Sequence, residues 1–165
     1  MKAIDGTPLT KPSVRNSKQS LDRAIAFAPA SISNLGCGFD VIGLALEKPG
    51  DYVVAERVEK VGVELRGVEG DEGLLPRDAR KNVASYVASL MLKDLKPKTG
   101  VAITVCKRMP IGSGLGSSAA SAVAAAVAVN ALLGSPLTKA QLLPYAIEGE
   151  RFVSGAGHPD NVSPS

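Results

Sequence analysis

The most constraining feature of the sequence is an apolar segment, residues 121–133, built almost entirely from Ala and Val. This composition predicts a helix that is apolar on every side, and such a helix has to be buried on most of its faces. At roughly 15 apolar residues, where about 20 are needed to span a bilayer, the helix is too short for a membrane span. Gly134 stops it, with Pro136 beyond. We therefore expect a buried helix around which the other elements pack.

Strand patterns come before this helix, and further helical patterns lie on either side of it. Alternating or apolar runs predict strands at residues 24–31, 51–58, 61–65 and 101–106, with a short apolar run at 41–46. Pro49-Gly50 separates two of these runs, and the charged residues 67–80, which include Gly and Pro, predict a loop. Helical spacing predicts helices over 81–95 and 139–152, the second with Thr138 as its N-cap. A strand-rich first half followed by helices favours an α+β fold.

Composition excludes several classes of partner. The chain has 165 residues, 45% of them hydrophobic and 21% charged, which is typical of one globular domain. Aromatic residues make up only 4%, so the stacking platforms of single-strand nucleic-acid binders are not expected. The net charge of +3 arises within residues 1–23, and the rest of the chain is balanced. We therefore expect neither nucleic acid nor a membrane as a partner.

The cysteine content and the N-terminal residues point to a cytoplasmic protein. Cys37 and Cys106 are the two cysteines and His158 is the single histidine, so neither a disulfide framework nor a structural zinc site is expected. Residues 1–22 are polar and contain no apolar core of a secretory signal. We expect them to be a disordered extension or the result of an incorrectly assigned start codon, and a transit peptide is the alternative.

A Gly/Ser-rich loop leads directly into the Ala/Val helix. Its sequence is Pro110-Ile111-Gly112-Ser113-Gly114-Leu115-Gly116-Ser117-Ser118. Closely spaced glycines let the backbone approach a ligand, and a helix start offers unpaired N–H groups and partial positive charge. A phosphate is the natural ligand of such a site, and serine hydroxyls can bind phosphate oxygens or Mg²⁺. The alternative interpretation is a tightly packed helix start without a ligand.

Two familiar phosphate loops do not match this sequence. A Walker A motif ends in Gly-Lys-Ser/Thr, and no lysine stands between Gly112 and Ser118. A dinucleotide-binding GxGxxG needs glycine three positions after Gly114, where Ser117 stands. Charge neutralisation is therefore expected from the helix terminus and a metal ion.

Three stretches resemble the GHMP kinases, and among these the homoserine kinases most. The loop at 110–120 is similar to the second motif of the superfamily, and residues 28–46 to its first motif as homoserine kinases carry it. Gly149-Glu150, Ser154-Gly155 and the His-Pro-Asp-Asn-Val run at 158–162 also match. The resemblance implies an N-terminal GHMP kinase domain of the ribosomal protein S5 domain 2-like type, with a left-handed βαβ unit, over residues 23–165. It also implies a C-terminal ferredoxin-like domain that these residues do not include.

The resemblance further implies ATP-dependent phosphorylation of the hydroxyl of L-homoserine, with Mg²⁺, and leaves room for a homodimer. Residues that would bind the substrate are Asn34, Asp40, His158 and Asn161. Residues that would contact the nucleotide are Asn82 and the loop residues Pro110, Ile111, Gly112, Ser113, Gly114, Leu115, Gly116, Ser117 and Ser118. Ser118 and Glu150 would bind the metal, and together with Asn161 they form the catalytic set. No general base is evident, because Asn161 stands where related kinases have Asp, and Asp160 is only a weak candidate.

Each of these side chains also has a simpler explanation. Asn34 could shape a turn, Asp40 could be a surface charge, and His158 could be a loop histidine. Asn82 could merely start its helix, and Glu150 could be solvated. The whole-protein alternatives are another GHMP kinase, such as one acting on mevalonate, and an inactive nucleotide- or amino-acid-binding module. Without the second half of a GHMP kinase, we expect residues 1–165 alone to catalyse poorly.

Overall fold

The computed structural model describes residues 21–38, 41–155 and 159–165. Most of the extension expected over residues 1–22 lies outside this range, and the first strand begins at Arg23. The strands are β1 (Arg23–Ser33), β2 (Gly43–Val58), β3 (Val63–Glu69) and β4 (Gly100–Cys106). The helices are α1 (Val83–Leu95), α2 (Ser117–Leu132), α3 (Lys139–Ser154) and the short α4 (Pro159–Val162). This mixture confirms the predicted α+β class.

The four strands form one mixed sheet in the order β1-β2-β4-β3. β2 pairs antiparallel with both β1 and β4, whereas β3 runs parallel to β4. The parallel pair is connected by α1, because parallel neighbours need a crossover connection. This β3-α1-β4 segment is the βαβ unit expected from the resemblance, and its left-handed sense stays a prediction.

The expected break at Pro49 was wrong, because β2 continues through it. Pro29 faces Gly50 and Ser31 faces Ala45, so residues 46–49 lie in an irregular part of the pairing between β1 and β2. Pairing of β2 with β4 covers only residues 52–58. The missing N–H of Pro49 therefore interrupts no regular ladder, which is where a strand tolerates proline.

Helix α2 is buried, as its composition predicts. Eleven of its 16 residues are buried, and the helix packs against β1, β2, α1 and α3. Small side chains allow this close approach on several sides at once. No helix in the described part of the chain is both long and apolar enough to cross a membrane. The burial of α2 is thus satisfied within the domain, by the sheet on one side and two helices on the other.

Helix α3 lies close against α1 and α2 at Gly149. A Cβ added to Gly149 would stand 2.5 Å from Val87 Cγ2 and 3.0 Å from the Cβ of Ala122. Val87 and Ala122 are both fully buried and have little room to move. The helix start is secured separately, since Gln141 Oε1 accepts from the Thr138 N–H at 2.9 Å. This confirms the predicted N-cap and leaves Gly149 as the point of closest helix packing.

We expect Gly149→Ala to destabilise the protein by about 1–3 kcal/mol through overpacking, despite the better helix propensity of Ala. Urea unfolding followed by circular dichroism measures this change. Gly67→Ala, in strand β3, is the control for an added methyl group without steric contact, because a Cβ at Gly67 meets no atom within 4 Å. Equal stability of the two variants would contradict the close packing of α3 on α1 and α2.

Candidate active site

A cleft of about 770 Å³ opens where the loop at 110–116, hereafter the glycine loop, meets the first turn of α2. Its other walls come from the ends of β1 and α3, the start of α1, and α4. Most of the residues predicted for the site line this one cleft: Asn34, Asn82, Ile111, Gly112, Ser113, Gly114, Gly116, Ser117, Ser118, Glu150 and Asn161. Pro110 and Leu115 belong to the loop but are not among the lining residues. Asp40 and His158 lie outside the described residues.

The glycine loop presents an open helix start to the cleft. Gly116 is the N-cap of α2, with a left-handed φ of 64°, and it has no side chain with which to cap the helix. The first helical bond at this end runs from the Ala120 N–H to the Gly116 carbonyl, so the preceding N–H groups have no partner within the helix. No acidic residue stands in the first turn. An anion in the cleft would therefore be stabilised by these N–H groups and by the helix dipole.

Gly116 also packs tightly against β1. A Cβ at this position would overlap Ser31 Oγ and stand 3.2 Å from Asn161 Oδ1. The Ser31 N–H, in turn, donates to the Leu115 carbonyl at 3.1 Å. The end of the glycine loop is thus held against β1 at a point where only glycine fits.

Ser118 and Glu150 meet across the cleft. The Ser118 hydroxyl donates to Glu150 Oε2 at 2.7 Å, and Glu150 is only 6% exposed. This pair depends on the packing of α3 against α2 at the neighbouring Gly149. Within residues 21–38, 41–155 and 159–165, no group of three or more His, Cys, Asp or Glu side chains gathers into a metal site. A hydroxyl and a carboxylate nevertheless fit Mg²⁺, which commonly takes one or two protein oxygens beside phosphate and water ligands.

Asn161 is held in one orientation by two serines of β1. Its Oδ1 accepts from the Ser31 hydroxyl at 3.2 Å, and its Nδ2 donates to Ser33 Oγ at 2.9 Å. Ser165 adds a bond to the Asn161 carbonyl at 3.0 Å. An amide fixed in this way can orient a hydroxyl group by hydrogen bonding, but it cannot take a proton from it.

Asn82 serves the start of α1. Its Oδ1 accepts from the N–H groups of Ala84 at 3.1 Å and Ser85 at 3.4 Å, the geometry of an N-cap. The simpler explanation of Asn82 is therefore confirmed, although the residue also lines the cleft. Contact between Asn82 and a nucleotide stays a prediction.

The wall of the cleft next to α1 is anchored by Asp71. This carboxylate, 3% exposed, accepts from the Leu75 N–H at 2.9 Å and from the two guanidinium nitrogens of Arg77 at 2.7 and 2.9 Å. The hydrogen bonds from Arg77 hold the pKa of Asp71 well below its usual range. The ion pair fixes the turn that carries Leu75 and Pro76, which line the cleft.

Our sequence analysis missed two lysines and their surroundings. Lys81 and Lys107 both line the cleft, so positive charge is not restricted to the helix terminus and a metal. Lys107 is ion-paired with Asp51, and burial lowers the pKa of its ammonium group while Asp51 opposes that shift. The available signal was the strand period, because each residue occupies a core-facing position, Asp51 in β2 and Lys107 one step past β4.

We expect Gly116→Ala to destabilise the protein more than Gly112→Ala, by about 1–3 kcal/mol. Both glycines have a left-handed φ, 64° and 75°, so the backbone strain is matched. Only Gly116 has atoms close to its added Cβ. Chemical denaturation of both variants separates the steric contribution from the backbone one. Equal losses would argue against the contact between the glycine loop and Ser31.

The chain is similar to known kinases in sequence and in fold. A homoserine kinase from Chloroherpeton thalassium is 43% identical, over 88% of this chain and 49% of that protein. The crystal structure of homoserine kinase from Cytophaga hutchinsonii superimposes with a TM-score of 0.85 at 46% identity, over 89% of this chain and 47% of the other. A mevalonate kinase from Staphylococcus aureus gives a TM-score of 0.63 at 22% identity, over 87% of this chain and 50% of the other, which shows a shared fold alone.

The chain spans about half the length of the curated relatives it matches. The family profile described as GHMP kinases N terminal domain matches residues 82–165, which include the glycine loop, the Ser118–Glu150 pair and Asn161. The resemblance seen in the sequence is thereby confirmed, and the chain belongs to the GHMP kinase N-terminal domain family.

Proposed function

We propose that this chain supplies the nucleotide-binding half of a kinase that transfers the γ-phosphoryl group of ATP to a hydroxyl group. The observation that carries the proposal is the Ser118–Glu150 pair beside the open N-terminus of α2. Unpaired N–H groups and a helix dipole bind phosphate, while the hydroxyl and the carboxylate bind a hard cation. An inactive packing of the helix start would not need a buried carboxylate at this place.

The acceptor that we propose is L-homoserine. The proteins with 43% and 46% identity carry the name homoserine kinase, whereas the mevalonate kinase at 22% identity supports only a common fold. In this assignment the amino acid is held by Asn34, Asp40, His158 and Asn161. The amide of Asn161, fixed by its hydrogen bonds, orients the hydroxyl of the substrate. The product would be O-phospho-L-homoserine, an intermediate on the way to threonine.

Phosphoryl transfer passes through a loose transition state, so positioning and charge stabilisation account for most of the catalysis. The N–H groups of the glycine loop and of the first turn of α2 would bind the phosphate oxygens. Ser118 and Glu150 would hold Mg²⁺, which when bound stabilises negative charge on the phosphates. Asn161 would align the acceptor hydroxyl. An amide cannot accept a proton, so the hydroxyl proton would pass to an oxygen of the transferred phosphoryl group or to water rather than to a strong base.

We also propose a compartment and an assembly for the enzyme. Cys37 and Cys106 are free thiols, which agrees with a reducing compartment such as the cytoplasm. A homodimer is the assembly that we propose to test by analytical ultracentrifugation. The proposed activity is that of the whole protein. This chain matches about half the length of its homoserine kinase relatives.

The proposal predicts ADP formation from ATP and Mg²⁺ that depends on L-homoserine in the protein expressed from its full reading frame. Glu150→Gln should lower kcat by about 100-fold or more, because a charged oxygen ligand near the phosphates is lost. A coupled assay of ADP release measures the dependence on homoserine and the kcat of the variant, with mevalonate tested in parallel.

Glu148→Gln is the matched control, since Glu148 lies on the same helix and pairs with Arg151 rather than with Ser118. Its kcat should stay within about twofold of the wild type, as expected for a partly exposed ion pair. Turnover with mevalonate but not homoserine would replace the acceptor. ADP binding without turnover on either alcohol would favour an inactive binding module.

A further inference from the structure

A buried ion pair lies directly beneath the glycine loop. The side chains of Asp51 and Lys107 are 0% and 2% exposed, and the ammonium group of Lys107 bonds to Asp51 Oδ2. Neither residue is in the predicted catalytic or binding set. A charged pair this deeply buried is costly to desolvate and gives no assured gain in stability. Its position therefore calls for an explanation in terms of the cleft above it.

The pair joins the two ends of the glycine loop. Asp51 Oδ1 accepts from the Arg108 N–H at 2.7 Å, before the loop, and Oδ2 accepts from the Ser117 hydroxyl at 3.3 Å, after it. Lys107 donates to the Ser117 carbonyl at 2.9 Å and to Ser121 Oγ at 2.9 Å. These bonds fix where the loop starts and where α2 begins.

The carboxylate of Asp51 lies where its negative charge would weaken the binding of an anion in the cleft. Ser117 is the first residue of α2, so Asp51 lies one hydrogen bond away from the helix start that faces the cleft. A bare negative charge there would repel a phosphate and would compete with it for the positive end of the helix. Lys107, which lines the cleft together with Ser117 and Ser121, cancels that charge at contact distance.

We propose that Asp51 and Lys107 are a positioning pair for the phosphate site, in which Asp51 clamps the glycine loop and Lys107 keeps the clamp electrically neutral toward the bound phosphates. This inference rests on the proposed nucleotide site. It differs from a merely structural role in one respect. Loss of Lys107 weakens phosphate binding chiefly because Asp51 stays charged. Removal of the negative charge of Asp51 therefore restores the affinity.

The experiment measures the affinity of the full protein for ADP with Mg²⁺ by calorimetric titration in wild type, Lys107→Met, Asp51→Asn and the double variant. Lys107→Met should bind ADP about tenfold more weakly, the effect of one uncompensated charge near the phosphates. The double variant should return to within about twofold of the wild type. Asp51→Asn, which keeps an acceptor for the Arg108 N–H, should bind ADP at least as tightly as the wild type.

Arg57→Met is the matched control for loss of a cation from the same sheet. Arg57 donates to the Leu132 carbonyl at 2.8 Å, at the opposite end of α2, roughly 24 Å along the helix from the glycine loop. This variant should lose thermal stability and keep its ADP affinity. Weaker binding in Arg57→Met equal to that in Lys107→Met would overturn the inference, because it would trace the effect to general destabilisation.

The remaining outcomes separate this inference from the proposed function. A double variant that binds no better than Lys107→Met would show a purely structural clamp and overturn the inference, while ADP binding by the wild type would still support the nucleotide site. If Lys107→Met does not fold, tenfold weaker binding by Asp51→Asn or by the double variant overturns the inference. Near wild-type binding by both of these supports it. A wild type without ADP affinity contradicts the proposed function and the inference together.

Discussion

The burial of α2 is the constraint on which the rest of the structure depends. A helix with no polar face has to be covered on nearly all sides, and in this domain β1, β2, α1 and α3 provide the cover. Because the side chains between the helices are those of alanine and glycine, the helices pack closely. At Gly149 this brings α3 near enough to α2 for Glu150 to reach Ser118. The Ser118–Glu150 pair is therefore a consequence of how closely the helices pack.

The burial of α2 also creates an electrostatic problem at its N-terminus. The helix begins at the edge of the core, and its N–H groups without a partner in the helix face the cleft. The residues on either side of the glycine loop enter the interior at the same place. Buried polar groups at such a place need partners, and Asp51, Lys107 and Ser121 supply them to one another. The site is thus built from a neutral buried network below and an open, positively polarised helix start above.

Much of the fold and the site could be predicted from local sequence. The Ala/Val composition predicts the burial of α2, and the period-two patterns predict most of the strands. The Gly/Ser loop predicts a close backbone approach to a ligand, with a tightly packed helix start as the alternative. Gly116 is tightly packed against Ser31, and the approach to a ligand stays a prediction. Pro49 misled the prediction, because its effect on β2 depends on a pairing irregularity opposite it in β1. For Asn82 the sequence left a nucleotide contact and a helix start as alternatives, and its two N–H partners showed that it caps the helix.

The sequence by itself determined the buried helix, the α+β class and the glycine-rich loop at the start of that helix, because each depends on residue types that stand near one another in the chain. Tertiary structure alone decided which distant side chains meet. Asn161 bonds to Ser31 and Ser33, which are 130 and 128 residues away in the chain. Glu150 bonds to Ser118 over 32 residues, and Lys107 bonds to Asp51 over 56. Such contacts depend on strand order and helix packing, which local patterns do not encode, and a charge at a core-facing strand position finds its partner only when the sheet has formed.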